Sequence, residues 1–274
     1  MKKIIIFLSL IVALSSFNVA YAKREPMPAG TVTRYYSAYK DWELEVINSR
    51  TLLASSPAKA IYKHKGVVVW EKALLATPGI VSITYDGRYI VMIYWDNFDE
   101  DWYRSMAIFS QDGGMLKEFN LAKKFPVSIR KTVLSKDGHY FVIAKSGSDS
   151  ALITLIDLWK QEFLWEKKYG LREIDNLQLC DDGAYLLLST YDLFCHEEKW
   201  RGMEKITVCD KPRRLEAVYI KSSGGKVLWA QIFDQGYAWN QKFIQLSSSG
   251  LKFSVFNLKK NKWLDFVNEN GKVE

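Results

Sequence analysis

Few residues in this chain have the types and spacing that metal binding or nucleophilic catalysis requires. The three histidines, His64, His139 and His196, lie far apart, and no two of them have the spacing of a metal-ligand pair. The sequence also lacks Cys-x-x-Cys, His-Glu-x-x-His and Gly-x-Ser-x-Gly patterns and a glycine loop suited to phosphate. Because these patterns are missing, we predict no metal site, no cofactor and no catalytic set.

One acidic cluster has the oxygen-rich composition of a calcium site. It lies within YWDNFDEDWY, residues 94–103, and comprises Asp96, Asp99, Glu100 and Asp101. An EF-hand-type loop needs alternating ligands with a glycine at the turn, and that pattern is missing here. We interpret the segment as the solvated tip of a hairpin. A sugar-stacking platform built on Trp95 and Trp102 is the alternative.

The elements that would position such residues belong to a repeat. The segments that align without gaps are VSITYDGRYIVMI (81–93), TVLSKDGHYFVIA (132–144), LQLCDDGAYLLLS (177–189) and IQLSSSGLKFSVF (244–256). Each copy consists of an apolar run, a polar turn with a glycine, and a second apolar run. This pattern predicts a strand, a tight turn whose glycine adopts a positive φ, and a second strand.

A second pattern alternates with the first and sets the length of the repeat. It is clearest in AVYIKSSGGKVLWAQIF (217–233), and its tryptophan column contains Trp70, Glu118, Trp165 and Trp229, which are 48, 47 and 64 residues apart. The long interval contains an insertion. Two hairpins in every period of about 47 residues give four strands per repeat, which is the signature of a β-propeller blade. A β-sandwich is the alternative, but it needs no such period.

The repeat resembles the blades of bacterial quinoprotein-like and WD-repeat-like β-propellers. The segment SSGGKVLW (222–229) is similar to the Gly-Lys-x-x-Trp turn of quinoprotein-type repeats, and the resemblance extends over residues 60–274. It implies a fold but no activity, because propellers host unrelated functions. The chain has no vicinal cysteine pair and no acidic set that corresponds to a quinone or calcium site, so we expect no cofactor.

We predict an all-β chain forming a single propeller of about five four-stranded blades. The last blade begins its final strand at NENGKVE (268–274), and an incomplete blade would leave an unpaired edge. We expect TVTRYYSAY (31–39) to pair with that blade and close the ring. Blade one would then begin near Trp42, with Asn48-Ser49 as its turn. An open arc completed by a partner chain is the alternative.

The first 22 residues have the composition of a secretory signal peptide. Lys2 and Lys3 precede an apolar run at 4–14, and a small-x-small exit ends at Ala22, where we expect cleavage. The mature propeller domain would span 23–274 and be periplasmic or secreted, without a stable membrane span. Cleavage lowers the formal charge from +7 to +5. This modest excess favours an anionic envelope partner over nucleic acid.

An insertion in the fourth blade, residues 192–216, contains two of the three cysteines. We expect Cys195 to pair with Cys209 in an oxidising compartment, although the two pairings with Cys180 remain open. Cys180 aligns with a column of Thr and Ser, which favours a packed small side chain. The residues that could contact a partner are His196, Trp200, Lys211, Arg213 and Arg214. The alternative is a solvated insertion without a binding role.

These observations favour a non-catalytic binding scaffold that contacts a protein or envelope partner through its loops. The alternative is a small carbohydrate-active or ligand-binding propeller that uses the axial channel. Five-bladed propellers include glycoside-cleaving enzymes, which require two carboxylates at a defined separation. We expect the candidates for such acids to lie on innermost strands, and they are Glu43, Glu45, Glu173 and Asp175.

Overall fold

The described residues form five four-stranded antiparallel sheets and one two-stranded hairpin. The computed structural model describes residues 30–48, 58–74, 76–95, 103–121, 129–146, 150–171, 173–191, 195–201, 204–209, 215–233, 244–257, 261–267 and 272–273. Within these ranges no helix is long and apolar enough to cross a membrane. The all-β class predicted from the sequence is confirmed.

In every sheet except the fourth, the four strands follow one another directly in the chain. The first sheet contains β1 (Val32–Tyr36), β2 (Trp42–Asn48), β3 (Ala58–His64) and β4 (Val67–Leu74). The second contains β5 (Pro78–Ile83), β6 (Tyr89–Trp95), β7 (Tyr103–Ser110) and β8 (Met115–Asn120). The third contains β9 (Ile129–Leu134), β10 (Tyr140–Ser146), β11 (Ala151–Asp157) and β12 (Glu162–Tyr169).

The fourth sheet is interrupted by the hairpin. It contains β13 (Glu173–Leu179), β14 (Tyr185–Tyr191), β17 (Leu215–Lys221) and β18 (Lys226–Phe233), while β15 (Cys195–Arg201) and β16 (Glu204–Cys209) form the hairpin. The fifth contains β19 (Ile244–Leu246), β20 (Lys252–Asn257), β21 (Lys262–Val267) and β22 (Lys272–Val273). First strands lie side by side, with β1 next to β5, β9 next to β13, and β13 next to β19. The first strands are therefore the innermost.

The turn between the first and second strands, called here the first turn, is held by its own side chains. In the second sheet, Thr84 Oγ1 donates to Asp86 Oδ1 at 2.7 Å, and the Tyr89 amide donates to Thr84 Oγ1 at 3.0 Å. The Arg88 amide donates to the same Asp86 oxygen at 3.0 Å. Gly87 follows with φ of 71°. The polar side chains thus satisfy the amides that the turn leaves unpaired, as Asx and Ser/Thr turns do.

Cys180 takes the place of the hydroxyl residue in the fourth sheet. Its Sγ donates to Asp182 Oδ1 at 3.0 Å and accepts the Tyr185 amide at 3.0 Å. In the third sheet Ser135 Oγ accepts the corresponding amide at 2.8 Å. Cys180 is a buried free thiol, and burial raises its pKa to about 12. The prediction that it is a packed small residue in this column is confirmed.

The prediction that residues 31–39 pair with the last blade is wrong. β1 pairs with β2 of its own sheet, and the fifth sheet supplies its own fourth strand, β22. The first turn of sheet one is a copy of the repeat in which Ser37 accepts the Trp42 amide at 3.3 Å. The copy lacks Asp-Gly because Tyr39 and Lys40 occupy those positions, and Lys40 adopts φ of 60°. The turn assigned to Asn48-Ser49 is therefore not the first turn.

The first turns lock each sheet onto the one before it. A Cβ atom added to Gly183 or Gly250 would lie under 3.0 Å from Tyr140 or Tyr185 of the preceding sheet. Conversely, the Tyr62 hydroxyl donates to the Gly87 carbonyl of the next sheet at 2.9 Å. Four buried apolar clusters lie along the successive sheets and contain residues from neighbouring sheets. The turn is therefore part of the inter-sheet packing as well as a connection.

The tryptophan column supplies a second contact between sheets. Trp70 Nε1 donates to the Gln111 carbonyl of the second sheet at 3.0 Å, and Trp165 Nε1 donates to the Ser222 carbonyl of the fourth at 2.6 Å. Trp229 packs on two phenylalanine rings of the fifth sheet, at centroid distances of 5.0 and 4.6 Å. All three indoles therefore contribute apolar contact area, and Trp70 and Trp165 also donate an N–H hydrogen bond to the neighbouring sheet.

Two glycine substitutions can separate backbone strain from inter-sheet packing. Gly183 and Gly66 both have a positive φ, but a Cβ atom at Gly66 would meet nothing within 4 Å. We expect Gly66→Ala to cost about 1 kcal/mol of unfolding free energy from its left-handed backbone alone. Gly183→Ala should cost about 1–3 kcal/mol more, because its methyl group must displace Tyr140. Urea denaturation measures both, and equal losses would contradict the packing role.

Candidate functional site

Side chains from the first turns of four sheets converge around the innermost strands. This group, called the inner turn cluster, consists of Tyr39, Tyr85, Lys136 and Asp181, one from each of sheets one to four. The rings of Tyr39 and Tyr85 lie 6.3 Å apart between centroids and are almost perpendicular, at 89°. Lys136 Nζ lies 3.1 Å from Asp181 Oδ2. The cluster thus combines two aromatic rings with one ion pair.

Lys136 links the two halves of the cluster. Its pKa is raised, first by the hydrogen bond and negative charge of Asp181 and then by Tyr39. A lysine of the third sheet therefore interacts with a tyrosine of the first and a carboxylate of the fourth. The two tyrosines remain open to solvent, with 59% of Tyr39 and 40% of Tyr85 exposed. Exposed tyrosines grouped around one polar pair are typical of a binding surface.

Backbone hydrogen bonds between neighbouring first turns hold one side of the cluster in place. The Asp137 amide donates to the Asp181 carbonyl at 3.1 Å, which ties the third sheet to the fourth. The Asp181 amide in turn donates to the Ser248 carbonyl at 2.8 Å, which ties the fourth to the fifth. Because backbone hydrogen bonds fix Asp181 to the turns on both sides, its ion pair with Lys136 lies on a rigid backbone.

The cluster has groups suited to binding but lacks the pair of carboxylates that acid-base cleavage requires. Asp181 is its one carboxylate, and that carboxylate is neutralised by Lys136. Glycoside cleavage uses two carboxyl groups with different roles, one as an acid and the other as a base or nucleophile. The chemistry that this group of residues supports is therefore recognition through stacking and hydrogen bonding.

Two of the acids predicted to lie on innermost strands are on the second strand of sheet one instead. Glu43 and Glu45 belong to β2, where Arg34 Nε lies 3.3 Å from Glu43 Oε1 and 2.8 Å from Glu45 Oε1. Lys63 Nζ lies 2.7 Å from Glu45 Oε2. The hydrogen bonds from Lys63 and Arg34 lower the pKa of Glu45. Both carboxylates thus belong to one ion-pair network with Arg34.

The other two predicted acids do lie on an innermost strand, β13. Ser146 Oγ of the third sheet donates to Glu173 Oε2 at 3.0 Å, and Ser189 Oγ of the fourth donates to Asp175 Oδ2 at 2.7 Å. Glu173 therefore joins two sheets, while Asp175 is bonded within its own sheet. Both carboxylates accept hydrogen bonds from serines, and these bonds give each of them a structural role.

The two described histidine side chains are packed in separate stacks. His64 stacks on Trp42 at a centroid distance of 4.0 Å. His139 lies between Tyr140 and Trp159, at 3.9 and 4.0 Å, with its Nε2 3.2 Å from Asp157 Oδ2. Among the residues that the structure describes, no group of three His, Cys, Asp or Glu side chains could hold a metal ion.

A cleft of about 540 Å³ lies on the second sheet and also involves one residue each of the first and third sheets. It is lined by Val69, Arg88, Tyr89, Ser110, Gln111, Asp112, Leu116 and Gln161. Its carboxylate, Asp112, accepts hydrogen bonds from the Ser110 hydroxyl and from the Gly114 amide, and these bonds lower its pKa. The carboxylate is therefore engaged in the local turn, and the cleft offers no catalytic pair.

The inserted hairpin is an addition to a sheet whose strand pairing is complete without it. β14 pairs with β17 along its whole length, from Tyr185 opposite Lys221 to Tyr191 opposite Leu215. The hairpin leaves from this end of the sheet, and its first pair of opposite residues is Cys195 and Cys209. Residues directly opposite in antiparallel strands have Cα atoms about 4.5–5.5 Å apart, a separation that a disulfide spans.

The residues predicted from the sequence to form sites are only partly described. Cys195, His196, Trp200 and Cys209 lie on the two strands of the hairpin. Those outside the described residues are Ala22, Asp96, Asp99, Glu100, Asp101, Lys211, Arg213 and Arg214. The sequence analysis missed the inner turn cluster entirely. The available signal was its position, since three of its members directly follow the Ser, Thr or Cys of an aligned first turn.

Comparisons with known proteins bear on the fold alone. No family model matches the chain, and no curated protein matches it. Among solved structures, hydrazine synthase from Kuenenia stuttgartiensis has a TM-score of 0.50 at 12% identity over 86% of this chain and 64% of that chain. A eukaryotic initiation factor has a TM-score of 0.50 at 13% identity over 77% of this chain and 44% of that one. This chain thus spans less than two thirds of either protein.

A third solved structure is the Cps50 (Swd1) β-propeller domain from Myceliophteria thermophila. Its TM-score is 0.36 at 10% identity, over 90% of this chain and 86% of that chain. The likeness in fold to the hydrazine synthase and initiation-factor structures and the five four-stranded sheets confirm the β-propeller resemblance predicted from the repeat. Identities this low carry no information about activity.

The register of the hairpin leads to a prediction about the cysteines. We expect peptide mapping of the mature protein under non-reducing conditions to find Cys195 linked to Cys209. Cys180 should react with a thiol reagent only after unfolding, because it is buried. In the chain-entropy model, a bridge that closes a loop of about 15 residues contributes about 3 kcal/mol to the stability of the hairpin itself. A linkage that includes Cys180 would contradict the prediction.

Proposed function

We propose that this chain is an exported, non-catalytic β-propeller scaffold that binds a protein or anionic envelope partner through residues 192–216. The observation that carries the proposal is the complete pairing of β14 with β17, although the β15–β16 hairpin is inserted between them in the chain. A segment that adds nothing to the strand pairing of its sheet, yet forms strands of its own, is retained for another reason. Loops on a rigid scaffold are where binding residues concentrate.

The composition of this lobe supports a protein or anionic partner. Trp200 lies on β15 with His196, and aromatic residues are enriched at the energetic centres of interfaces. The run Lys211-Pro212-Arg213-Arg214 follows β16 in the sequence and contains three positive charges within four residues. A basic run of this kind attracts phosphate or carboxylate groups, with a strength that falls as salt is added.

Export is the second part of the proposal, and residues 1–22 carry it. The positive start, the short apolar run and the exit at Ala22 are the three parts of a secretory signal. An exported chain would meet oxidising conditions, which favour the bridge between Cys195 and Cys209. Cell fractionation with N-terminal sequencing tests this part: a mature protein that begins at Lys23 supports it, and a cytoplasmic protein that retains Met1 contradicts it.

We also infer that the five sheets close into a ring without exchanging a strand. Within the described residues, all four strands of the first and fifth sheets are paired inside their own sheets. Contact between these two sheets would complete the array. A compact domain of about 250 residues has a radius of gyration of about 18 Å. Small-angle scattering that gives a clearly larger value would indicate an open arc.

Removal of the lobe tests the binding proposal directly. Tyr191 and Leu215 are opposite each other, so Asn-Gly can replace residues 192–214 as a two-residue hairpin turn. We expect the shortened protein to unfold within a few degrees of the full mature chain, because the sheet keeps its pairing. The partner is first identified in envelope extracts by photo-crosslinking at Trp200 of the full mature chain. The shortened protein should then fail to capture that partner.

Two controls sharpen this experiment. If the partner is the envelope surface, charge reversal at Lys211, Arg213 and Arg214 should abolish binding to vesicles of anionic phospholipid. If the partner is a protein that stacks on Trp200, the same variant should still capture it. A crosslinker at Val67, an exposed residue of the outer strand β4, should capture nothing specific. Binding that survives removal of the lobe, or substrate turnover by the pure protein, would overturn the proposal.

A further inference from the structure

We propose that the inner turn cluster is a second binding site, specific for a neutral hydroxylated ring such as a sugar unit of a glycan. The site is separate from the 192–216 lobe, and it lies among the first turns, at the end of the sheets opposite the β14–β17 connection. Its four side chains come from four different sheets and are brought together by the fold alone. The inference therefore extends the proposed function without depending on it.

The two tyrosines define the shape of the site. Their rings are perpendicular within 1° and 6.3 Å apart, so one ring offers its face while the other offers its edge. A ligand ring stacked on the open face of one tyrosine would contact the second along its side. Aromatic rings in direct contact lie about 4.5–7 Å apart between centroids, so the two tyrosines contact each other edge to face. Their exposed surface is left for a ligand ring.

Solvent exposure of these rings is not explained by packing. Tyr39 and Tyr85 are 59% and 40% exposed, although each adjoins a turn residue that is fully engaged in the repeat. In contrast, Tyr62 and Tyr219 on third strands are completely buried and donate to turn carbonyls. The cluster therefore retains aromatic surface that the fold does not use.

The ion pair indicates that the ligand is neutral. The Lys136 ammonium group donates hydrogen bonds only, and the Asp181 carboxylate accepts them only. A hydroxyl group both donates and accepts, so adjacent hydroxyls of a sugar can satisfy both partners at once. An anionic ligand would be attracted by Lys136 and repelled by Asp181, and a cationic ligand the reverse. A neutral polyol is the class of ligand that gains from both members of the pair.

The turns that carry Asp181 and Tyr85 are held in place by backbone hydrogen bonds without a ligand. Asp181 is tied through its backbone to the turns of the third and fifth sheets, at 3.1 and 2.8 Å. The turn that carries Tyr85 is closed by the Gly87 amide donating to the Thr84 carbonyl at 2.9 Å. Pre-organised groups lose little conformational entropy on binding, which allows a small ligand to bind measurably.

Titration of the full mature chain with neutral oligosaccharides of glucose and of N-acetylglucosamine tests the proposal, with saturation-transfer NMR and calorimetry as readouts. We expect a dissociation constant in about the millimolar range or lower. Tyr39→Ala and Tyr85→Ala should each weaken binding about tenfold or more. Tyr39→Phe, which keeps the stacking surface, should retain most of the affinity. Asp181→Asn and Lys136→Met should weaken binding without abolishing stacking.

The controls distinguish a lost site from a damaged protein. Trp263→Ala removes a partly exposed ring that packs on Phe256 in the fifth sheet, which supplies no residue of the cluster, and should leave the affinity unchanged. The exposed tyrosine variants should keep the unfolding temperature of the parent protein. The proposal would be overturned if neither oligosaccharide series bound, or if binding were unchanged in both tyrosine variants. Preferential binding of a charged sugar would overturn its neutral class.

A protein partner is the competing occupant, and the variants separate the two cases. If Tyr39→Ala abolishes capture of a protein partner while removal of residues 192–214 leaves it intact, the cluster is a protein contact and the sugar proposal is wrong. If oligosaccharide binding persists in the shortened protein, the site is independent of the lobe. Failure of the lobe proposal and failure of this one therefore give different results.

Discussion

The fold depends on one local interaction, the hydrogen-bonded first turn of each sheet. A hydroxyl or thiol side chain accepts the amide that begins the second strand, and in three sheets a carboxylate two residues later accepts the hydrogen of that side chain. The next residue has a positive φ and lies close against the preceding sheet. Because the same residues close the turn and contact the neighbour, strand pairing and sheet stacking are coupled. The tryptophan column adds a second contact farther from the axis.

The same coupling explains where binding residues can be placed. Positions that close the turn admit few residue types, whereas the position after the hydroxyl or thiol residue is free to vary and carries Tyr85, Lys136, Asp181 and Ser248 in successive sheets. At the other end of the fourth sheet, β14 and β17 are fully paired, so a hairpin can be added between them without cost to the sheet. The scaffold is thus uniform, and function is proposed for the positions that the repeat leaves unconstrained.

The sequence is sufficient to predict the repeat, but it is not sufficient to predict which side chains of different repeats come together. The glycines at 87, 138, 183 and 250 identified four first turns, because a positive φ strongly favours glycine. The copy in sheet one escaped detection because Lys40 adopts that conformation and Tyr39 replaces the aspartate. Its strand was then assigned to the last blade, which already had β22. The inner turn cluster could not be predicted, since Tyr39 meets Lys136 of a sheet two repeats later, and a period alone does not specify that contact.

We infer that the first turns bind the sheets into one cooperative array to which the hairpin is an accessory. Native-state hydrogen exchange tests it most directly. The amides of Asp137 and Asp181, which donate across sheets, should exchange as slowly as amides of the central strands, while those of 195–201 and 204–209 exchange faster and independently. Rapid exchange at the cross-sheet amides, with a different rate in each sheet, would show that the sheets open separately and would contradict the account.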